Sequence, residues 1–285
     1  VYKRQERAQA IAARDQAEEL VDFLIGLFEV SDPGEARGRT ITAREILSRG
    51  GDRVSTELED QPTTQAKLME TIGVVYTKLG LYEEARPFLE KSLELRAGET
   101  VAEDLDVGDS LQSLAVLCLR QGLFAEGEEL ARRSLAIREA SLGTEDLDVA
   151  ESLHTVGLLC SEQSRYAEAE EAYSRAIEIR EKALGPDHPD VAESLRELGT
   201  VYYMLGRYDE AEPFYKRAIA IQENAFGEDH PDVAGGANSL AALYFQQGAV
   251  EVWLCGQEGK IEYFDGKGPM ANSTLFPGFE KKIDW

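Results

Sequence analysis

The chain repeats itself every 42 residues, and that period constrains its fold more than any other property. When Gly73, Ala115, Gly157 and Gly199 are aligned, a Tyr or Cys follows three residues later (Tyr76, Cys118, Cys160, Tyr202). Gly80, Gly122, Ser164 and Gly206 follow at seven, and an aromatic at nine (Tyr82, Phe124, Tyr166, Tyr208). A small residue follows at twelve (Ala85, Gly127, Ala169, Ala211). A fixed period of this size marks stacked units that each bury an apolar face on a neighbour. The expected architecture is all-α, with binding rather than catalysis as the default role.

Each unit has the pattern of two antiparallel helices. In the third, Glu151–Gln163 carries Leu153, Val156, Gly157 and Cys160 at helical spacing, and Tyr166–Leu184 carries Ala169, Tyr173, Ala176 and Ile177. The small residues let the two helices approach closely. Asp148 and Asp190 each stand three residues before a Glu, which predicts acidic N-caps in capping boxes. Gly185-Pro186 supplies a stop, because glycine ends a helix and proline forbids its continuation.

Tyr202, Gly206, Tyr208, Ala211, Tyr215 and Ala218 resemble the tetratricopeptide repeat pattern. That family's usual period is about 34 residues. The extra residues here fall in the second helix and its exit loop, around Asp187-His188-Pro189-Asp190 and Asp229-His230-Pro231-Asp232. This longer form is similar to the repeats of kinesin light chain and of many bacterial signalling proteins. The resemblance implies a right-handed superhelical solenoid of helix pairs over residues 62–248, with four full units and one partial.

The flanks differ. Residues 1–61 are expected to form a helical lead-in and cap: a helix over Arg4–Val30, a break at Ser31-Asp-Pro-Gly, and a second helix over Thr40–Leu58 capped by Thr40 or Thr42. Asp22-Phe-Leu-Ile-Gly-Leu-Phe-Glu-Val-Ser-Asp-Pro-Gly-Glu and Thr42-Ala-Arg-Glu-Ile-Leu resemble the segment joining kinase to repeats in bacterial serine/threonine protein kinases. The likeness spans residues 15–97 and implies a non-catalytic C-terminal part, since no glycine-rich phosphate loop, His-Arg-Asp or Asp-Phe-Gly occurs. Residues 249–285 are a tail outside the repeats. Val250 stands where an aromatic is expected and Trp253 where an alanine is, and 251–255 and 260–264 alternate around a Gly-Gln-Glu-Gly turn as a hairpin would. The tail could be an atypical cap, the start of another domain or an unrelated junction.

With 54 acids against 30 Lys and Arg, the formal charge of −24 argues against nucleic acid or an anionic membrane as the main partner. No apolar run approaches the ~20 residues of a membrane span, so direct membrane insertion by this chain is not expected. The start at Val1 predicts a fragment or a processed product. A parent with an upstream membrane helix would place the repeats outside the cytoplasm, and one without it would keep them inside. Cys118 and Cys160 take the slot of Tyr76, Tyr202 and Tyr244, which predicts buried core thiols, while Cys255 stands apart.

No residue set suggests catalysis, a metal or a cofactor. His188 and His230 occupy equivalent loops and have the chemistry of turns and caps. Glu128-Glu129 and Glu170-Glu171 look like solvated outer faces. The expected binding surface is the concave groove lined by the first helix of each unit. Its positions are Lys67, Lys78, Gln112, Val116, Arg120, His154, Leu158, Arg196, Thr200, Tyr203, Asn238 and Phe245. This mixed set suits an extended or helical peptide, with Tyr203 and Phe245 as apolar anchors. The leading expectation is therefore a protein–protein interaction scaffold. The alternatives are the regulatory arm of a serine/threonine kinase, and self-assembly into homo-oligomers by repeat stacking.

Overall fold

The computed structural model describes residues 43–99, 105–249, 252–255, 261–265 and 268–270. Among these lie ten helices and three short strands. The helices are α1 (Ala43–Glu57), α2 (Pro62–Lys78), α3 (Tyr82–Glu99), α4 (Leu105–Gln121) and α5 (Phe124–Leu142). They continue as α6 (Leu147–Glu162), α7 (Tyr166–Leu184), α8 (Pro189–Met204), α9 (Tyr208–Phe226) and α10 (Pro231–Gln246). The chain divides into two compact units, Val1–Ile137 and Arg138–Trp285.

Within each unit, consecutive helices pair as the period requires. Each first helix ends where the repeat placed its turn residue. Gly80, Gly122, Gly206 and Gly248 have φ of 74°, 76°, 72° and 98°. At α8 the amide of Arg207 donates to Tyr202 O at 2.9 Å, and at α6 that of Arg165 donates to Cys160 O at 2.9 Å. This is a Schellman closure, and its left-handed residue is normally glycine. Ser164 takes that place at φ 60°, the single non-glycine residue with positive φ among those described.

The starts of the helices correct the sequence reading. Asp146, not Asp148, caps α6, its carboxylate accepting from the Asp148 amide at 2.9 Å. His188 and His230 cap α8 and α10 through Nδ1, accepting from the Asp190 and Asp232 amides at 3.2 and 3.3 Å. The cap chemistry expected of the two histidines is thus observed. Asp148 and Asp190 sit in the first turn, where their charge faces the positive end of the helix dipole.

The packing glycines do what their spacing implies. A Cβ on Gly157 would lie 2.7 Å from the Tyr173 ring, and one on Gly199 3.0 Å from Tyr215. Both rings are buried against the facing helix, where interior packing leaves no room for added atoms. In the first unit, α1 lays Val54 into a core with Leu68, Met69, Ile72, Tyr76 and Leu89. Buried Gln65 of α2 donates to Val54 O and Ser55 O at 3.1 and 3.2 Å, closing the end of α1. The helix expected over 4–30 and the Thr40 or Thr42 cap lie outside the described residues.

The expected hairpin is present. Strand β1 (Val252–Cys255) pairs antiparallel with β2 (Ile261–Asp265), with Trp253 opposite Tyr263. A third strand, β3 (Gly268–Met270), extends the sheet on the far side of β2 and was not signalled by the alternation. No helix among the described residues is long and apolar enough to cross a membrane.

Two substitutions test this packing by chemical denaturation. Gly199→Trp overpacks the α8–α9 contact and should cost at least about 1–3 kcal/mol. Ser164→Gly relieves a left-handed strain of about 1–2 kcal/mol, offset by the greater freedom of glycine in the unfolded chain. It should therefore raise stability by about 0.5–1 kcal/mol.

Candidate functional site

The second helix of a repeat is tied to the first helix of the next by a buried arginine. Arg96, Arg138 and Arg180 stand 42 residues apart and are 8, 4 and 7% exposed. Their Nη1 atoms donate to the main-chain oxygens of Asp106, Asp148 and Asp190 at 2.7, 2.9 and 2.8 Å. The same atoms reach the hydroxyls of Ser110, Ser152 and Ser194 at 2.7, 2.9 and 2.7 Å. A carboxylate completes each clamp: Glu70 at 2.8 Å from Arg96, Glu151 at 3.0 Å from Arg138, and Glu193 at 3.7 Å from Arg180. Glu151 and Glu193 thus serve the arginine rather than the capping boxes that the sequence suggested. A buried guanidinium is costly unless its charge is met, and here Nη1 of each arginine meets a carbonyl, a hydroxyl and a carboxylate together. The sequence reading missed this ladder, although the 42-residue alignment contains both columns.

The clamp decides which first-helix residues are open. Gln112 and His154, expected in the groove, are 4 and 7% exposed and offer no open contact. They lie in the column of Glu70, the position that turns toward the arginines. Ser194 Oγ, which accepts from Arg180, lies 3.1 Å from His154 Nδ1, and the other ring nitrogen faces Glu193 at 3.7 Å. Burial, then the charges of Arg180 and Arg196, push the His154 pKa down to about 3.

The remaining expected positions are placed unit by unit. In the first unit, Lys67, Lys78 and Arg120 are exposed and Val116 is half-buried. In the second, Asn238 is exposed, while Leu158, Arg196, Thr200, Tyr203 and Phe245 are half-buried. Arg196 is paired with Glu197 at 2.7 Å, and Thr200 accepts from the Tyr215 hydroxyl at 3.2 Å. Desolvation of Glu197 raises its pKa, with Arg196 opposing the shift. Leu158 and Thr200 meet in a cavity of about 260 Å³ with Ser161, Tyr166, Glu197 and Met204. Arg196 lines a separate cavity near the start of α10.

Other residues are committed to packing. The hydroxyls of Tyr202 and Tyr244 donate to Glu170 and Glu212 at 2.7 and 2.6 Å, so Glu170 is a tether between repeats rather than a free outer charge. Arg207 lies over the Tyr202 ring at 4.4 Å. Cys118 and Cys160 are buried and in no disulfide, as their slot implied. Burial and the Glu126 charge push the Cys118 thiol up to about 11 against the pull of Arg86, which keeps it protonated and unreactive at neutral pH.

The tetratricopeptide repeat family model matches residues 63–140, 106–182, 148–224 and 204–251. BtubC from P. vanneervenii is similar in structure: TM-score 0.63, 23% identity, covering 73% of this chain and 85% of that one. So is a putative kinesin light chain of Podospora anserina with nearly identical TPR-like repeats: TM-score 0.57, 24% identity, covering 66% and 89%. Aspartyl phosphate phosphatase F of Bacillus subtilis matches with TM-score 0.60 and 14% identity over 70% of this chain and 50% of that one. Likeness at such identity speaks for the fold. No curated protein matches the chain by sequence.

The depressed His154 pKa makes stability acid-sensitive. The folded imidazole stays neutral, whereas the unfolded one protonates below about 6.5, so stability present above that pH is lost as pH falls toward 3. His154→Gln installs the residue that the preceding repeat carries at Gln112. It should remove a slope of up to about 1.4 kcal/mol per pH unit in that window. Urea denaturation of both proteins from pH 7 to 4 checks this, and parallel curves would contradict it.

Proposed function

Because the chain belongs to the tetratricopeptide repeat family, we propose that it binds a peptide or protein partner on the first-helix faces of its repeats, without chemistry of its own. The observation that carries this reading is the row Arg196, Thr200 and Tyr203 on α8. These residues are only half-buried while the opposite side of that helix is packed away, and Thr200 opens onto the cavity it shares with Leu158. Such a row offers a guanidinium, a hydroxyl and an aromatic at helical spacing, beside a recess able to take an apolar anchor. Lys67, Lys78 and Arg120 give the first unit a set of exposed cations of its own. The net charge of −24 favours partners with basic character elsewhere on their surface.

Arg196 is a poor residue to probe by charge reversal, because a carboxylate there would sit beside the desolvated Glu197. Tyr203→Ala combined with Leu158→Ala removes the apolar anchor and leaves the arginine clamps untouched. Peptides selected on the full chain from a display library should bind this variant at least tenfold more weakly, about 1.4 kcal/mol. Unchanged helicity by circular dichroism would show that the fold survives. Selected peptides that bind both proteins equally would move the site off this face.

A further inference from the structure

The arginine clamp recurs three times and is missing at the fourth place. Residue 222, 42 positions after Arg180, is Gln, and the places of Glu193 and Ser194 are taken by Gly235 and Gly236. One change shortens the donor, and the other two remove its carboxylate and hydroxyl partners. A cavity of about 370 Å³ lies there. Its walls carry the carboxylates of Asp190, Glu193 and Asp232, of which Glu193 also faces Arg180 at 3.7 Å, and the guanidinium of Arg196, which is itself paired with Glu197.

Gln222 lines the same cavity. It is 5% exposed, and its Oε1 has no hydrogen-bond partner. That oxygen lies 3.6 Å from where a Cβ on Gly236 would stand, beside Ile219, whose Cγ1 at 2.8 Å fills the place of the absent serine. A buried acceptor left without a donor is a standing penalty, and a turn of the Gln222 side chain into the cavity it lines would let an incoming N–H group relieve it. Asp232 holds the position whose main-chain oxygen takes the guanidinium at Asp148 and Asp190. The ring of Phe226, stacked on His230 at a centroid distance of 4.5 Å, adds an aromatic wall on which a planar cation can lie.

We infer that this cavity receives a guanidinium group from outside the chain, an arginine side chain presented by a partner polypeptide, which completes the missing clamp. Three carboxylates select for positive charge. The orphan amide oxygen and the aromatic wall select a flat fork of donors over the compact ammonium of lysine. The inference shares Arg196 with the face proposed above and rests on that reading only for the source of the arginine. A single blocked amino acid tests the cavity without it.

Nα-acetyl-arginine amide is titrated into the full chain and followed by the backbone amide resonance of Gly235. A saturable shift is expected, at least tenfold weaker with the uncharged isostere Nα-acetyl-citrulline amide. It should also be weaker with free arginine, whose carboxylate meets the acidic walls, and this difference marks a polypeptide source. Equal binding of free and blocked arginine would overturn that source and leave the guanidinium site standing. Gln222→Arg fills the cavity with the chain's own guanidinium and should abolish the response. Gly235→Leu, at a position where an added Cβ meets no atom within 4 Å, obstructs the same space without touching Gln222 and should do likewise, read from a neighbouring amide. No saturable shift in the native chain, an equal response to citrulline, or retained binding in either folded variant would overturn the proposal.

Discussion

The structure depends on a guanidinium that has been taken out of water. Each of Arg96, Arg138 and Arg180 gives up hydration, and it is stable there only because a main-chain oxygen, a serine hydroxyl and a carboxylate meet it together. Removing one partner of such a group costs about 3–5 kcal/mol, because the charge remains buried. The geometry is therefore strict. The oxygen comes from the first turn of the next helix, and the serine from one turn further along it. Helix 2 of one repeat can meet helix 1 of the next in only one sliding position.

That constraint shapes the surface left over for binding. The column of Glu70, His154 and Arg196 lies beside the clamp. At His154 the imidazole is drawn in to satisfy Ser194, and the available face begins one turn later, at Leu158 and Thr200. Within a helix pair the limit is steric instead. Gly157 and Gly199 exist because Tyr173 and Tyr215 occupy the volume that a side chain would need. Polar precision between repeats and apolar closeness within them divide the work.

Much of this was legible in the sequence, and the failures have physical reasons. The turn column of Gly80, Gly122, Ser164 and Gly206 is set by backbone conformation, a local property, and the residues declare it directly. The glycine–tyrosine contacts follow from helical spacing. The N-caps were misplaced by two residues because an acid followed by Glu at the third position suits either a cap or a first-turn charge, and only the backbone separates them. Glu170 looked like a solvent-facing charge and Glu151 like the far member of a capping box because their partners, Tyr202 and Arg138, are 32 and 13 residues distant. Gln112 and His154 were placed on the open face for the same reason: a helical wheel shows direction, not whether the neighbouring repeat already occupies it.

The clamp also has a polarity. A 42-residue segment carries its serine and acceptor carbonyl at the front and its arginine at the rear. Any tandem copy of that segment therefore arrives with both halves of the joint, and it fits behind its parent without a compensating change elsewhere. Growth by duplication is built into the chemistry of one bond. The copy bearing Gln222 keeps its front half at Ser194 but has lost its arginine, the next copy has Gly235 and Gly236 for the carboxylate and the serine, and there the inheritance of the joint stops.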